Sequence, residues 1–212
     1  MLWTDFHNEM LPTLPGVPAE LVNQQLRITA IDFCTATYAY KAASAPVDIV
    51  SGTAAYPLVS PDSGTEIVAL DAVWVNERPV HPTTDTALSA AYTYWPGETA
   101  EQARSYLQVR PDQVVLFPQP SLGVTSGLKM RLVLRPTRTS TGLVDWFATR
   151  YFDTLVAGAK ARLCAMPSKP WTDTNAAQMN AASYAAGRID AVVDRNRGFT
   201  TGTLQVVMRK FA

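Results

Sequence analysis

Two histidines, two cysteines and 18 acidic side chains are what this 212-residue chain offers for building a reactive site. His7 and His81 lack metal-ligand spacing to a second histidine or to a cysteine pair, so each reads as a surface or partly buried imidazole. Cys34 and Cys164 fall in helix-like segments. They read as buried, small apolar residues carrying the free thiols of a reducing compartment. Gly123-Val124-Thr125-Ser126-Gly127 puts threonine where a nucleophile elbow needs serine, and reads as a flexible loop between two strands. Neither a phosphate-binding G-x-x-x-x-G-K-[ST] run nor a dinucleotide G-x-G-x-x-G run occurs. Asp48, Asp62, Asp71 and Asp85 are of the type that pairs in glycosidases, but nothing in their spacing fixes a separation. Trp74, Tyr92, Tyr94 and Trp95 are of the type that forms a sugar-stacking platform, though aromatics on strands as readily fill a β core. The expectation is a protein without cofactor, metal or catalysis: an interaction part, with a carbohydrate- or receptor-binding β module as the alternative.

Composition narrows the class further. With 47% hydrophobic residues, 17% charged residues and 18 basic against 18 acidic side chains, the chain is neither a disordered tail nor a DNA-coating protein. Two cysteines exclude a disulfide scaffold. No apolar run approaches the ~20 residues that span a bilayer, and the first residues lack a signal-peptide pattern, so no membrane contact is expected. The neutral total hides a division. Residues 1–141 carry 9 Lys/Arg and 13 Asp/Glu, and residues 142–212 carry 9 and 5. Such polarity suits a chain whose two ends face different partners.

The elements that must position any site follow from periodicity. Over residues 18–40, Val22, Leu26, Ala30 and Phe33 make one broad apolar helical face, with Pro18 in the tolerated first turn. Residues 42–142 hold 10 of the 15 prolines and 6 of the 11 glycines, a density that excludes long helices. There, short β-branched runs at 47–50, 67–70, 73–75, 114–117 and 130–134 predict strands, and Asn76-Glu77 predicts a hairpin tip. Leu143, Phe147, Tyr151, Leu155, Ala159 and Leu163 repeat every four residues and predict one helix over 142–166, ended by Pro167. A third helix, capped by Thr172 or Asp173, runs to about 196 and stops at Gly198. It carries seven alanines between Ala176 and Ala191. The expected fold class is α+β. Three helices from residues 1–41 and 142–197 form a bundle, an all-β lobe spans 42–141 between the first and second helix, and 198–212 form a tail.

Four segments, in order, resemble the head-to-tail adaptor family of tailed bacteriophages, the group that includes tail tubular protein A. They are Ile31-Asp32-Phe33-Cys34; residues 47–58 with Ser51-Gly52 and Tyr56-Pro57-Leu58; Val73-Trp74-Val75-Asn76-Glu77-Arg78 followed by Val114-Val115-Leu116-Phe117-Pro118; and the helix connector Leu163-Cys164-Ala165-Met166-Pro167-Ser168-Lys169-Pro170-Trp171-Thr172-Asp173. The last is the most specific. The resemblance covers about residues 18–197 and leaves the tail after Phe199 unmatched. It implies a structural virion protein made in the bacterial host cytoplasm. Its copies would form a ring, usually of twelve, at the head–tail junction, between the portal and the tail nozzle. DNA would pass through the channel without sequence-specific binding. In related adaptors the C-terminal segment reaches the portal, which here assigns portal binding to Arg197, Leu204, Val206, Val207, Arg209, Lys210 and Phe211. The strand-like Leu204 to Met208 can add to a sheet edge, and Arg209 and Lys210 can pair with acids there. Phe33 and Trp171 are expected to be structural, the latter plugging a bundle end. Ala182 and Ala186 are expected at a helix–helix interface, within or between subunits, where a bulky replacement would overpack.

Overall fold

The structure is a computed structural model and describes residues 1–198. In chain order its elements are α1 (His7–Met10), α2 (Ala19–Thr37), β1 (Lys41–Ala43), β2 (Val47–Ile49), β3 (Ala55–Pro57), β4 (Thr65–Val75), β5 (Arg78–Pro82), α3 (Asp85–Ala91), β6 (Thr99–Ala100), β7 (Ser105–Arg110), β8 (Gln113–Phe117), β9 (Gln119–Pro120), β10 (Val124–Pro136), α4 (Asp145–Arg150), α5 (Phe152–Cys164) and α6 (Thr174–Arg197). Short 3-10 turns flank α1 at Trp3–Phe6 and Leu11–Thr13. The chain divides into two compact units, Met1–Ala39 with Gly142–Ala212, and Tyr40–Thr141.

The second unit is organised by one curled sheet of eight strands, ordered β1-β10-β4-β5-β7-β8-β3, with β2 also on β10. The long antiparallel pair β4 and β10 is its spine. Two register shifts bend this pair. Arg131 faces Ala72 and Leu132 faces Leu70, which leaves Asp71 as an extra residue; the step from Val133 to Leu134 leaves Val68 likewise. Each extra residue twists the strand and re-aims a side chain. The β4–β5 hairpin turns at Asn76 (φ 49°) and Glu77 (φ 65°), two successive left-handed residues. That backbone matches the twist of the flanking strands. Val73, Val75, Leu128, Met130, Leu132, Val114 and Leu116 fill the sheet's buried face.

In the first unit α2 and α5 each pack against α6. Helix α2 starts after an extended Pro18 and ends at Tyr38, whose left-handed backbone (φ 53°) lets its N–H close on the Cys34 carbonyl. Phe33 is fully buried, with the rings of Tyr151, Phe147 and Tyr184 5.0, 5.9 and 6.3 Å away. Such aromatic clusters combine large buried area with favourable edge contacts. Helix α6 is capped at both ends. The Asp173 carboxylate accepts the Ala176 N–H, and Gly198 stops the helix with φ 66°.

These facts correct several expectations. The fold is not a three-helix bundle with a β lobe inserted. It is built on the large curled sheet, with six helices lying mostly towards the ends of the chain. Short apolar runs made the strands look local, because prolines and bulges interrupt the alternation. In fact the runs at 67–70 and 73–75 are one 11-residue strand. The run at 130–134 lies inside a 13-residue strand that also absorbs the loop expected around Thr125. The four-residue stripe over 142–166 is two helices, broken at Tyr151 (φ −111°, ψ 20°). Periodicity survives the break because the Tyr151 and Leu155 N–H groups still bond to the carbonyls of Phe147 and Tyr151. Near the start, Trp3, Phe6 and Met10 are buried on short helical turns, which the sequence reading left unassigned.

Candidate interaction surface

Helix α6 has two faces of different character. Its inner face meets α5 at glycine. A methyl group on Gly187 would come within 2.5 Å of Thr154 Cγ2, and one on Gly158 within 2.7 Å of the Tyr184 ring. Without side chains at these two points the helices approach closely. Tyr184 completes this face. Its hydroxyl donates to Asp32 Oδ2 at 2.9 Å, and burial, with that carboxylate beside it, holds the phenol protonated well above its ordinary range. Arg162 and Arg188 approach the same carboxylate at 3.7 and 4.0 Å.

The outer face is apolar and open. Met179 is 73% exposed, Ile189 66% and Val193 38%, with Ala182 and Ala186 exposed between them. At three- and four-residue steps these five share one stripe, about 21 Å long at 1.5 Å per residue. Beside it, Ala36 and Thr37 of α2 and Ala185, Arg188, Ile189, Val192 and Val193 of α6 line a groove of about 420 Å³, apolar but for Arg188 and the Thr37 hydroxyl. At the groove's end the Arg195 guanidinium donates to the Thr37 carbonyl at 3.2 Å. That bond satisfies one of the free carbonyls at the α2 C-terminus.

Several of the expected site residues take definite places. Phe33 is the centre of the aromatic cluster. Trp171 is half-buried in the connector, and its indole N–H is enclosed without an acceptor. Around it, Thr172 donates to the Met166 carbonyl, and the Asp173 N–H donates to the Cys164 carbonyl at 3.0 Å. Asp173 therefore closes α5 with its backbone and opens α6 with its side chain. Ala182 and Ala186 do not pack inside the subunit. The small residues that do are Ala177 and Ala191, both buried, and Gly187. Arg197 is the exposed last residue of α6. Leu204, Val206, Val207, Arg209, Lys210 and Phe211 lie outside the described residues. Helical glycines are the signal that was missed: each costs about 1 kcal/mol against alanine, so one inside a helix asks for a packing reason.

The side chains with catalytic potential are otherwise engaged. Asp48 accepts the Ser126 N–H at 2.6 Å, Asp62 the Tyr40 hydroxyl at 2.8 Å and Asp85 the Trp95 indole at 3.1 Å. Asp71 is bridged by Lys41 at 2.7 Å and by Arg131. Burial pushes its carboxyl up, but the hydrogen bonds from these two cations outweigh that and leave it below the ordinary range. His7 meets Asn23 Oδ1 at 2.7 Å. Cys34 and Cys164 are buried free thiols. Among the described residues no three or more His, Cys, Asp or Glu are grouped to hold a metal. Of the four aromatic residues of the expected platform, Tyr94 is exposed. Tyr92 and Trp95 pack on Phe117 at 4.9 and 6.1 Å, whereas Trp74 lies under the Arg131 guanidinium at 5.6 Å. A larger cleft of about 620 Å³ lies between β5 and residues 100–104. Its charged lining, Arg78, Glu101 and Arg104, is exposed.

Charge looks different once assigned to units. Met1–Ala39 with Gly142–Ala212 carries 10 Lys/Arg and 9 Asp/Glu, and Tyr40–Thr141 carries 8 and 9. The acidic front and basic back of the sequence thus nearly cancel within each unit, because the acids of α1 and α2 join the basic C-terminal helices. No described helix is long and apolar enough to cross a membrane. Compared with known proteins, the chain matches no family model and no curated sequence.

Proposed function

We propose that the chain is a structural virion protein and not an enzyme: a head-to-tail adaptor whose copies form a ring, of about twelve by the family resemblance, joining portal to tail around a DNA channel. The observation that carries this reading is the outer face of α6. A 24-residue helix that is tightly packed on one side presents Met179, Ile189 and Val193 to solvent on the other. Contiguous apolar surface of this kind marks an interaction site. Alanines at its centre let a neighbouring helix approach. The connector Met166-Pro167 to Pro170-Trp171 adds the family resemblance. Near-neutral units fit a conduit through which DNA slides, since gripping phosphates requires an excess of Lys and Arg. In this reading the segment from Arg197 through Phe211 meets the portal, and the sheet unit projects outward or toward the tail.

Native mass measurement of the full chain, alone and mixed with the cognate portal, tests the proposal. The expected result is a multi-copy complex on the portal. A monomer that stays monomeric and leaves the portal unbound overturns it.

A further inference from the structure

We infer that the cleft between β5 and residues 100–104 docks an extended acidic segment of a partner protein, which lies along β5 as an added strand and sets carboxylates on Arg78 and Arg104. The inference concerns the sheet unit alone and does not depend on the ring reading.

The cleft exists because a strand pair comes apart. Strands β5 and β7 run parallel and pair only at His81 with Ser105 and at Pro82 with Tyr106. The Thr83 N–H donates to the Tyr106 carbonyl at 2.8 Å, and the His81 N–H to the Arg104 carbonyl at 3.4 Å. In a regular parallel ladder the next rung would run from the Arg104 N–H to the Pro79 carbonyl. The Arg104 N–H donates instead to the Phe117 carbonyl of β8 at 2.9 Å. Pro79 stands two residues before His81, so its carbonyl points to the same side as the His81 N–H, away from β4 and into the cleft. On the other wall, residues 101–103 make no backbone hydrogen bond among the described residues. The two walls therefore offer an added strand the main-chain partners that β5 and β7 do not give each other.

Size and charge select the occupant. At about 3.3 Å of rise, 4.8 Å of strand spacing and 10 Å of sheet thickness, an extended residue takes roughly 160 Å³, so a cleft of about 620 Å³ suits about four residues. Val80 and Ala103 line it as buried apolar side chains. Arg78 on one wall and Arg104 on the other are exposed, and neither forms an ion pair among the described residues. Glu101 is the one acid of the lining. Two unpaired guanidiniums against one carboxylate favour a chain that carries acids, since each guanidinium can hold a carboxylate by two parallel hydrogen bonds.

Fluorescence anisotropy with the full chain tests the inference. The probe is an end-blocked peptide of roughly eight residues that alternates glutamate and valine, as an added strand alternates its faces. One comparator carries glutamine for glutamate. A second is N-methylated at every residue, which keeps the charges and removes the donors. Saturable binding of the acidic probe, absent for both comparators, is the expected result. Arg78→Gln and Arg104→Gln should leave the melting temperature unchanged and weaken binding about fivefold each, the scale of a good exposed ion pair. Glu101→Gln should tighten it. Arg78→Glu combined with Arg104→Glu should bind a lysine–valine peptide in place of the acidic one. No binding of the acidic probe at about 1 mM overturns the inference. Affinity unchanged in both arginine variants overturns it as well. Equal binding of the N-methylated peptide does so in favour of a site for isolated anions. Self-association of the chain that the arginine substitutions abolish, without peptide binding, overturns it in favour of a second copy on the cleft.

Discussion

Asp71 illustrates how a side chain with catalytic potential becomes structural. A bulge in β4 leaves it as the extra residue, and its carboxylate lands between Lys41 of β1 and Arg131 of β10, tying three neighbouring strands. Because the two cations lower its pKa in the folded state, the group stabilises the fold fully above its unfolded pKa of about 3.9. That contribution is lost as pH falls through the lower folded value. Asp71→Asn is therefore expected to cost about 1 kcal/mol near pH 7. The difference from the parent chain, read by urea unfolding, should shrink steadily below pH 4. A difference that stays constant down to pH 2 would assign the loss to packing instead. The identity of Asp71 was legible in the sequence, and its role was not. Bulges follow no residue pattern, and only the register of β4 on β10 reveals that this acid is the one re-aimed.

At the level of elements, α6 was read with nearly correct ends, because its signals are local: Asp173 as cap and Gly198 as stop. The sequence expectation put Ala182 and Ala186 at a helix–helix contact within or between subunits, and in the single chain both are exposed. The alanines at 182 and 186 stand out in the sequence, but the close approach is made by Gly158 on α5 and Gly187 on α6, residues distant in the chain that only the packed pair brings into view. Gly187→Ala should therefore force the α5–α6 contact apart at Thr154 and cost about 1–3 kcal/mol. Thermal unfolding of that variant, with and without Thr154→Ala, checks the assignment. The second change should recover part of the loss, whereas a Gly187→Ala chain as stable as the parent would show the contact to be slack. The break at Tyr151 was equally hidden. Six apolar positions in step look like one helix, yet the backbone departs from helical geometry there while the Tyr151 ring stands among Phe33, Phe147 and the α6 carboxylate Asp194.

For the whole molecule, the sheet was the least legible feature, since its spine joins strands some sixty residues apart and the charge division along the chain pointed elsewhere. Once α1 and α2 are grouped with α4, α5 and α6, neither unit carries more than one net charge, so the charge division along the chain does not become a pair of oppositely charged units. The outer stripe of α6 offers an apolar contact instead. If copies associate through the outer stripe of α6, folding and assembly must separate under mutation. Ala186→Arg adds a charge to the middle of that stripe without meeting the subunit's own core. It should leave the melting temperature within a few degrees of the parent, because surface substitutions away from special features change stability by only about 0.5 kcal/mol. The same change buries an unpaired guanidinium in any helix–helix contact made there, a cost of several kcal/mol. Sedimentation or native mass of the portal-bound material should then show loss of the multi-copy complex. Unchanged assembly in Ala186→Arg would remove the α6 stripe from the ring interface, and loss of folding would show that the stripe belongs to the subunit's own core.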